Sequence, residues 1–213
     1  MNNEEIDARI ARIWKKMEKL PEDLEFSCGK WPPEWNPPLS EKQVSLLEEK
    51  NHIHLPEDYR RFITTKAGGG TQPFYGLLSP SDSESNLANP FRYTQDKPLI
   101  IMDMSEEEQE AFFEQEDVAE DDGCIFLCTE GCGMDCVLIV NTPDKDTYGT
   151  VWFFDLANDC GIIPVLHPET KKPFCFLDWL EYWVDFTVSH DSDEYFSYGE
   201  LAAPFLETEW EKE

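Results

Sequence analysis

Positive charge is what this sequence has least of: 17 lysines and arginines stand against 45 aspartates and glutamates, a formal net charge of −28 over 213 residues. A field of that sign repels phosphate backbones and anionic bilayers, which argues against direct nucleic-acid binding and against attachment to a membrane surface. Long apolar runs are also missing. No stretch approaches the roughly 20 apolar residues that a bilayer-spanning helix needs. The start, Met1-Asn2-Asn3-Glu4-Glu5, lacks the basic beginning and apolar stretch of a secretory signal. The seven cysteines are an odd number, so reduced thiols in a cytoplasmic protein are expected.

Histidine is scarce too. Of four, His52 and His54 adjoin Glu48 and Glu49, and His167 precedes Pro168. No Gly-x-Ser-x-Gly or His-Glu-x-x-His surrounds any candidate nucleophile or base. Gly68-Gly69-Gly70 closes a helical pattern instead of opening one, and no Lys-Ser/Thr pair follows, which excludes a phosphate loop. Paired carboxylates such as Asp155 and Asp159 are expected by chance among 45. The expectation is therefore no enzyme, no catalytic residue and no cofactor. Cys124, Cys128, Cys132 and Cys136 recur at four-residue spacing and invite a zinc reading. Cys124 and Cys128 fall on one face of an expected strand, roughly 13 Å apart by strand rise, too far to share an ion. No metal site is expected; Cys128 and Cys136 are expected to lie close across a hairpin.

What the chain has is apolar mass: 40% hydrophobic residues, with fourteen Phe and seven Trp, enough to enclose a core. Ile6, Ile10, Ile13, Trp14 and Met17 predict an amphipathic helix ended by Pro21. Lys30 to Pro38 is too proline-rich for helix or central strand and reads as a connector, with Trp31 and Trp35 lying on the body. Ser40 and Gln43 have capping-box spacing ahead of Val44, Leu46 and Leu47. Leu55-Pro56 starts a third helix, with Pro56 at its first position and Tyr59, Phe62 and Ile63 inward. Strands are expected at Phe74–Leu78, Cys124–Cys128, Cys136–Val140, Val151–Phe154 and Ile162–Val165. The last four form an antiparallel meander whose final strand Pro164 marks as an edge. A closing helix is expected over about 174–186. The fold class is α+β, with helices packed on one face of a meander sheet.

Three regions result: 1–39, helix and connector; 40–188, the α+β domain; and 189–213, an acidic tail. Its Tyr195, Phe196, Tyr198, Leu201, Phe205, Leu206 and Trp210 predict docking. Inside the domain, residues 103–122 hold eleven acidic residues and no basic one. Glu107–Gln115 can form a helix, weakened by like charges at i,i+4; the other reading is a solvated loop.

Several stretches in order resemble the SUKH superfamily, in its group related to a fungal cell-wall-synthesis regulator and to bacterial immunity proteins. They are Leu55-Pro56-Glu57-Asp58-Tyr59-Arg60-Arg61-Phe62 running into Ala67-Gly68-Gly69-Gly70, then Tyr75-Gly76-Leu77 and Asn89-Pro90-Phe91. Further on come Gly131-Cys132-Gly133 before Val137–Asn141, Gly149-Thr150-Val151-Trp152, Asp155, Asp159-Cys160-Gly161 and Phe176–Leu180. The resemblance spans roughly Ser40 to Phe186. Cys160 departs from a usual glycine, and Met134-Asp135 replace aromatics. The resemblance implies an α+β fold without catalytic machinery and, for bacterial members, an immunity role: binding a cognate protein toxin in the cytoplasm.

The charge alone has two readings, dispersal in solution or capture of a basic partner. With the resemblance, the expected function is neutralisation of a basic toxin, a nuclease being one such kind, by a monomer. The alternative is a non-catalytic scaffold for several cellular proteins. Candidate contact residues are Asp103, Glu106, Glu107, Glu108, Glu110, Glu114, Glu116, Asp117, Glu120, Asp121 and Asp122 for charge, with Asp155. Phe112, Phe113, Tyr93 and Trp152 are the expected aromatic anchors.

Overall fold

Ile6, Ile10, Ile13 and Met17 recur every three or four residues and form the buried stripe of helix α1 (Asn3–Met17). The computed structural model describes residues 1–20, 32–82, 85–114, 121–190 and 196–202. Helix α2 (Glu41–Asn51) begins at the Ser40–Gln43 capping box and stops at His52, whose backbone is left-handed. Helix α3 (Glu57–Thr65) begins one residue later than proline suggests, with Pro56 in the capping position. The connector lays Trp35 against Trp14, ring centroids 5.3 Å apart, while Trp31 and Pro21 lie outside the described residues.

Five antiparallel strands follow: β1 (Leu99–Ile100), β2 (Cys124–Gly131), β3 (Met134–Ile139), β4 (Val151–Asp155) and β5 (Gly161–Pro164). Their order in the sheet is β1-β5-β4-β3-β2, so the fold is α+β. Helix α4 (Glu106–Phe113) lies between β1 and β2 in sequence, and α5 (Phe176–Ser189) and α6 (Tyr198–Ala202) follow β5.

Every residue of β4 is buried, because the sheet is covered twice. Val151 and Phe153 join the larger core, with Leu138, Ile163 and the helical residues Ile10, Phe62, Trp179 and Tyr198. Trp152 and Phe154 point the other way, into a smaller core with Val137, Ile139, Ile162, Phe91 and Ile101. Met104 and Phe112 pack against that second core. Helices on a single face were expected; α4 instead covers the opposite face. A solvated loop was the other reading of this segment, but Ser105 starts a helix with a capping box to Glu108.

Other expectations are corrected by backbone geometry. Phe74–Leu78 is a run of turns, with Phe74 at φ 51° and Gly76 at φ 120°. It still shields the outer edge of β2: Tyr75 N–H donates to the Thr129 carbonyl at 3.2 Å and Leu78 N–H to that of Leu127 at 2.8 Å. The β2–β3 connection is shorter than expected, a two-residue turn of Cys132 (φ 54°) and Gly133 (φ 79°) suited to a twisted hairpin. Strand β5 is not an edge, because β1 pairs with Ile162 and Gly161. A Cβ at Gly161 would collide with the Leu99 carbonyl, so glycine permits that pairing. Pro164 is tolerated because β1 stops short of it. Helix α5 runs three residues past the expected end.

Candidate functional site

The charge is unevenly spread. Residues 1–66 carry eleven basic and thirteen acidic side chains, whereas residues 67–213 carry six and thirty-two. The helical side spends its cations internally. Arg9 bonds Asp178 at 2.7 Å and Glu181 at 2.8 Å, and Lys16 bonds Glu181 at 2.9 Å and Asp185 at 2.7 Å. Burial works against the Glu181 carboxylate, but hydrogen bonds from Arg12, Lys16 and Arg9 hold its pKa down at about 2. Arg60 pairs with Glu41 and Glu48, and Arg61 with Asp7 and Glu57. These pairs bind α1, α2, α3 and α5 together.

Among the described residues, the opposite face shows no ion pair of this kind. Glu106, Glu107 and Glu108 occupy the first turn of α4, where the helix dipole favours negative charge. Glu108 bonds the backbone and hydroxyl of Ser105, which lowers its pKa. Gln109 donates to the Ile101 carbonyl at 3.1 Å and ties the helix to the sheet margin. Phe112 faces the second core, so the helix turns Glu106, Glu107, Glu110 and Glu114 to solvent with Phe113, which is 51% exposed. Asp103 and Met102, 43% exposed, continue the surface. Among the described residues, no cation pairs with any of these carboxylates. The result is an exposed phenylalanine rimmed by negative charge.

The remaining candidates do not join it. Trp152, expected as an anchor, is fully buried; its Nε1–H donates to Thr150 Oγ1 at 2.9 Å and its ring stands edge-on to Phe91. A strand covered on both faces leaves it no solvent side. Asp155 is also internal: its Oδ1 accepts from the backbone N–H of Asn158 at 3.0 Å and from Asn158 Nδ2 at 2.7 Å, shaping the β4–β5 turn. Asp122 is buried and accepts from Asn89 at 3.2 Å, and Asp121 is half-buried. Tyr93 is part-buried, edge-on to Phe91 at 5.5 Å. Glu116, Asp117 and Glu120 lie outside the described residues, as do Tyr195, Phe205, Leu206 and Trp210.

The cysteines are dispersed. A register shift between Phe126 and Cys128 breaks the alternation of β2, so Cys124 belongs to the second core and Cys128 to the first. They were expected on one face. Cys128 and Cys136 are directly opposed across the hairpin, as expected, and Cys132 is exposed at its tip. Burial raises the pKa of Cys124, Cys128 and Cys136, opposite to the activation a nucleophile needs. His52 and His54 line an open cavity of about 460 Å³ with Ser45, Glu48 and Glu49. Glu48 is already engaged by Leu55 N–H and Arg60.

Two residues escaped the sequence reading. Met102 looks like core beside Ile100 and Ile101, yet it is exposed. Glu130 looks like a turn-proximal surface acid. A second register shift, between Thr129 and Gly131, leaves it inside, where burial pushes its pKa up to about 7.

Among the described residues, no helix is long and apolar enough to cross a membrane. In comparison with protein families, residues 38–187 match the SMI1 / KNR4 family (SUKH-1). No curated protein matches the chain. The matched span runs from just before α2 into α5; α1 and the segment carrying α6 lie outside it.

Proposed function

The chain belongs to the SMI1 / KNR4 family (SUKH-1), and from that premise we propose that it is a non-catalytic cytoplasmic immunity protein that captures and neutralises a basic protein toxin. The observation that carries this reading is the uncompensated acidic surface of α4 around exposed Phe113. Charge of one sign on a rigid element accelerates encounter with a cationic partner. An exposed aromatic at its centre supplies the desolvated contact on which affinity depends. The carboxylates also occupy basic ground that a nucleic acid would otherwise hold, so inhibition follows from occlusion without chemistry at the interface.

Co-expression tests the proposal. Cells producing the toxin encoded beside this chain should survive when the chain is present and die when it is absent. Survival should be lost when Glu106, Glu107, Glu110 and Glu114 are replaced together by lysine. Failure of the unaltered chain to protect, with capture of several unrelated cellular proteins instead, would replace immunity with a scaffold role.

A further inference from the structure

The carboxylate of Glu130 sits beneath the last described segment of the chain. Its Oε1 accepts the Tyr198 N–H at 3.1 Å and the Cys136 thiol at 3.6 Å. Ser197 lies beside the same carboxyl and favours its charged form. Its Oε2 is enclosed without a hydrogen-bond partner. Above it, Phe196, Tyr198 and Ala202 are buried. The Tyr198 ring stacks on Trp179 at 5.7 Å, and its hydroxyl donates to the Trp179 carbonyl. The Leu201 carbonyl accepts from Leu166 N–H at 3.3 Å.

We propose that Glu130 is a proton-operated latch for the segment Phe196–Ala202: neutral, it holds the segment on the sheet, and ionised, it favours release. The geometry distinguishes the two states. A proton on Oε2 leaves Oε1 a carbonyl oxygen, so the hydrogen bonds from Tyr198 and Cys136 survive. Loss of that proton places a full charge in an apolar enclosure with an unsatisfied oxygen, a costly arrangement that undocking relieves by admitting water.

The neighbours reinforce this. From β2 and β3 the facing groups are Cys128 and Cys136, and from α6 they are Tyr198 and Glu200. Helix α5 presents the uncharged Trp179 to Cys136. Burial raises Cys128, Cys136 and Tyr198, so all three stay neutral while Glu130 titrates. The negative Glu200 adds repulsion. No cation among the described residues is positioned to hold the ionised form. Because burial raises the docked carboxyl from 4.5 to about 7, docking is strongest below about pH 4.5, weakens by up to about tenfold per pH unit as pH rises from there to about 7, and levels off above it.

The test is amide hydrogen exchange of Tyr198 in the full chain, as protection factors corrected for intrinsic rates, from about pH 5.5 to about pH 8.5. Protection should fall by at least about tenfold across that range. In Glu130→Gln, which cannot ionise but keeps an oxygen acceptor, protection should stay level. A flat wild-type profile, or an equal fall in Glu130→Gln, would overturn the proposal. Should that variant misfold, the wild-type Glu130 carboxyl carbon resonance decides. Its midpoint must fall where the decline in Tyr198 protection levels off, and a midpoint below about 5 refutes the latch.

Discussion

Phe112 and Phe113 are adjacent on α4, with ring centroids 5.2 Å apart and planes 78° from each other, yet one packs against the second core and the other is 51% exposed. The pair divides the helix into an anchoring side and a presenting side. Phe113→Ala should therefore weaken partner binding by at least about tenfold, chiefly through faster dissociation, with little change in melting temperature. Phe112→Ala should lower stability by roughly 1–3 kcal/mol. Binding kinetics and thermal unfolding of the two variants separate these roles.

Trp152 should behave as core. Its replacement by alanine is expected to cost about 3–5 kcal/mol in denaturant unfolding, since it fills the second core between Phe91 and the strands. Trp152→Phe should leave the association rate with the partner unchanged, because the side chain has no exposed surface.

The clamp between α1 and α5 gives an acid-side signature. The Glu181 pKa falls from an ordinary 4.5 to about 2 in the fold. Its contribution is thus complete above about pH 4.5 and is lost as pH falls towards 2. Urea unfolding should show a decline over that window, about 2 kcal/mol once solvent screening of the partners is allowed for. Glu181→Gln should remove most of the decline and lower stability at neutral pH.

Asp58 joins two helix starts. Its carboxylate accepts the Leu177 N–H at 3.1 Å and the Tyr59 N–H at 2.9 Å. Asp58→Ala leaves both amides buried without that acceptor and should cost roughly 1–3 kcal/mol. Asp58→Asn, which keeps an acceptor oxygen, should cost less. Equal losses in chemical denaturation would mean that the charge matters more than the hydrogen bonds.

Local chemistry was readable wherever it decided the outcome. The Ser40–Gln43 box, the stripe Ile6, Ile10, Ile13, and the Cys128–Cys136 pairing are all set by side chains close in sequence or by simple alternation. The rest depended on what lies opposite. Trp152 and Phe154 alternate with Val151 and Phe153, but both faces are apolar, so no pattern tells inside from outside. Phe74–Leu78 has strand composition, yet positive φ at Phe74 and Gly76 folds it into turns. The register shifts at Leu127 and Glu130 re-aim Cys124 and Glu130, and an extra residue in a strand has no signature in residue type. Asp155 and Asp122 look like their exposed neighbours because burial is a property of the loops packed on them.

The central claim is that the carboxylates of α4 draw in a cationic partner. Its most direct measurement is the association rate of the partner with the unaltered chain and with a variant carrying Glu106→Gln, Glu107→Gln, Glu110→Gln and Glu114→Gln, across roughly 0.05–0.5 M salt. The wild-type rate should fall by about tenfold or more as salt rises, and the variant should begin slower and respond less. Identical rates for the two proteins at every ionic strength would contradict it.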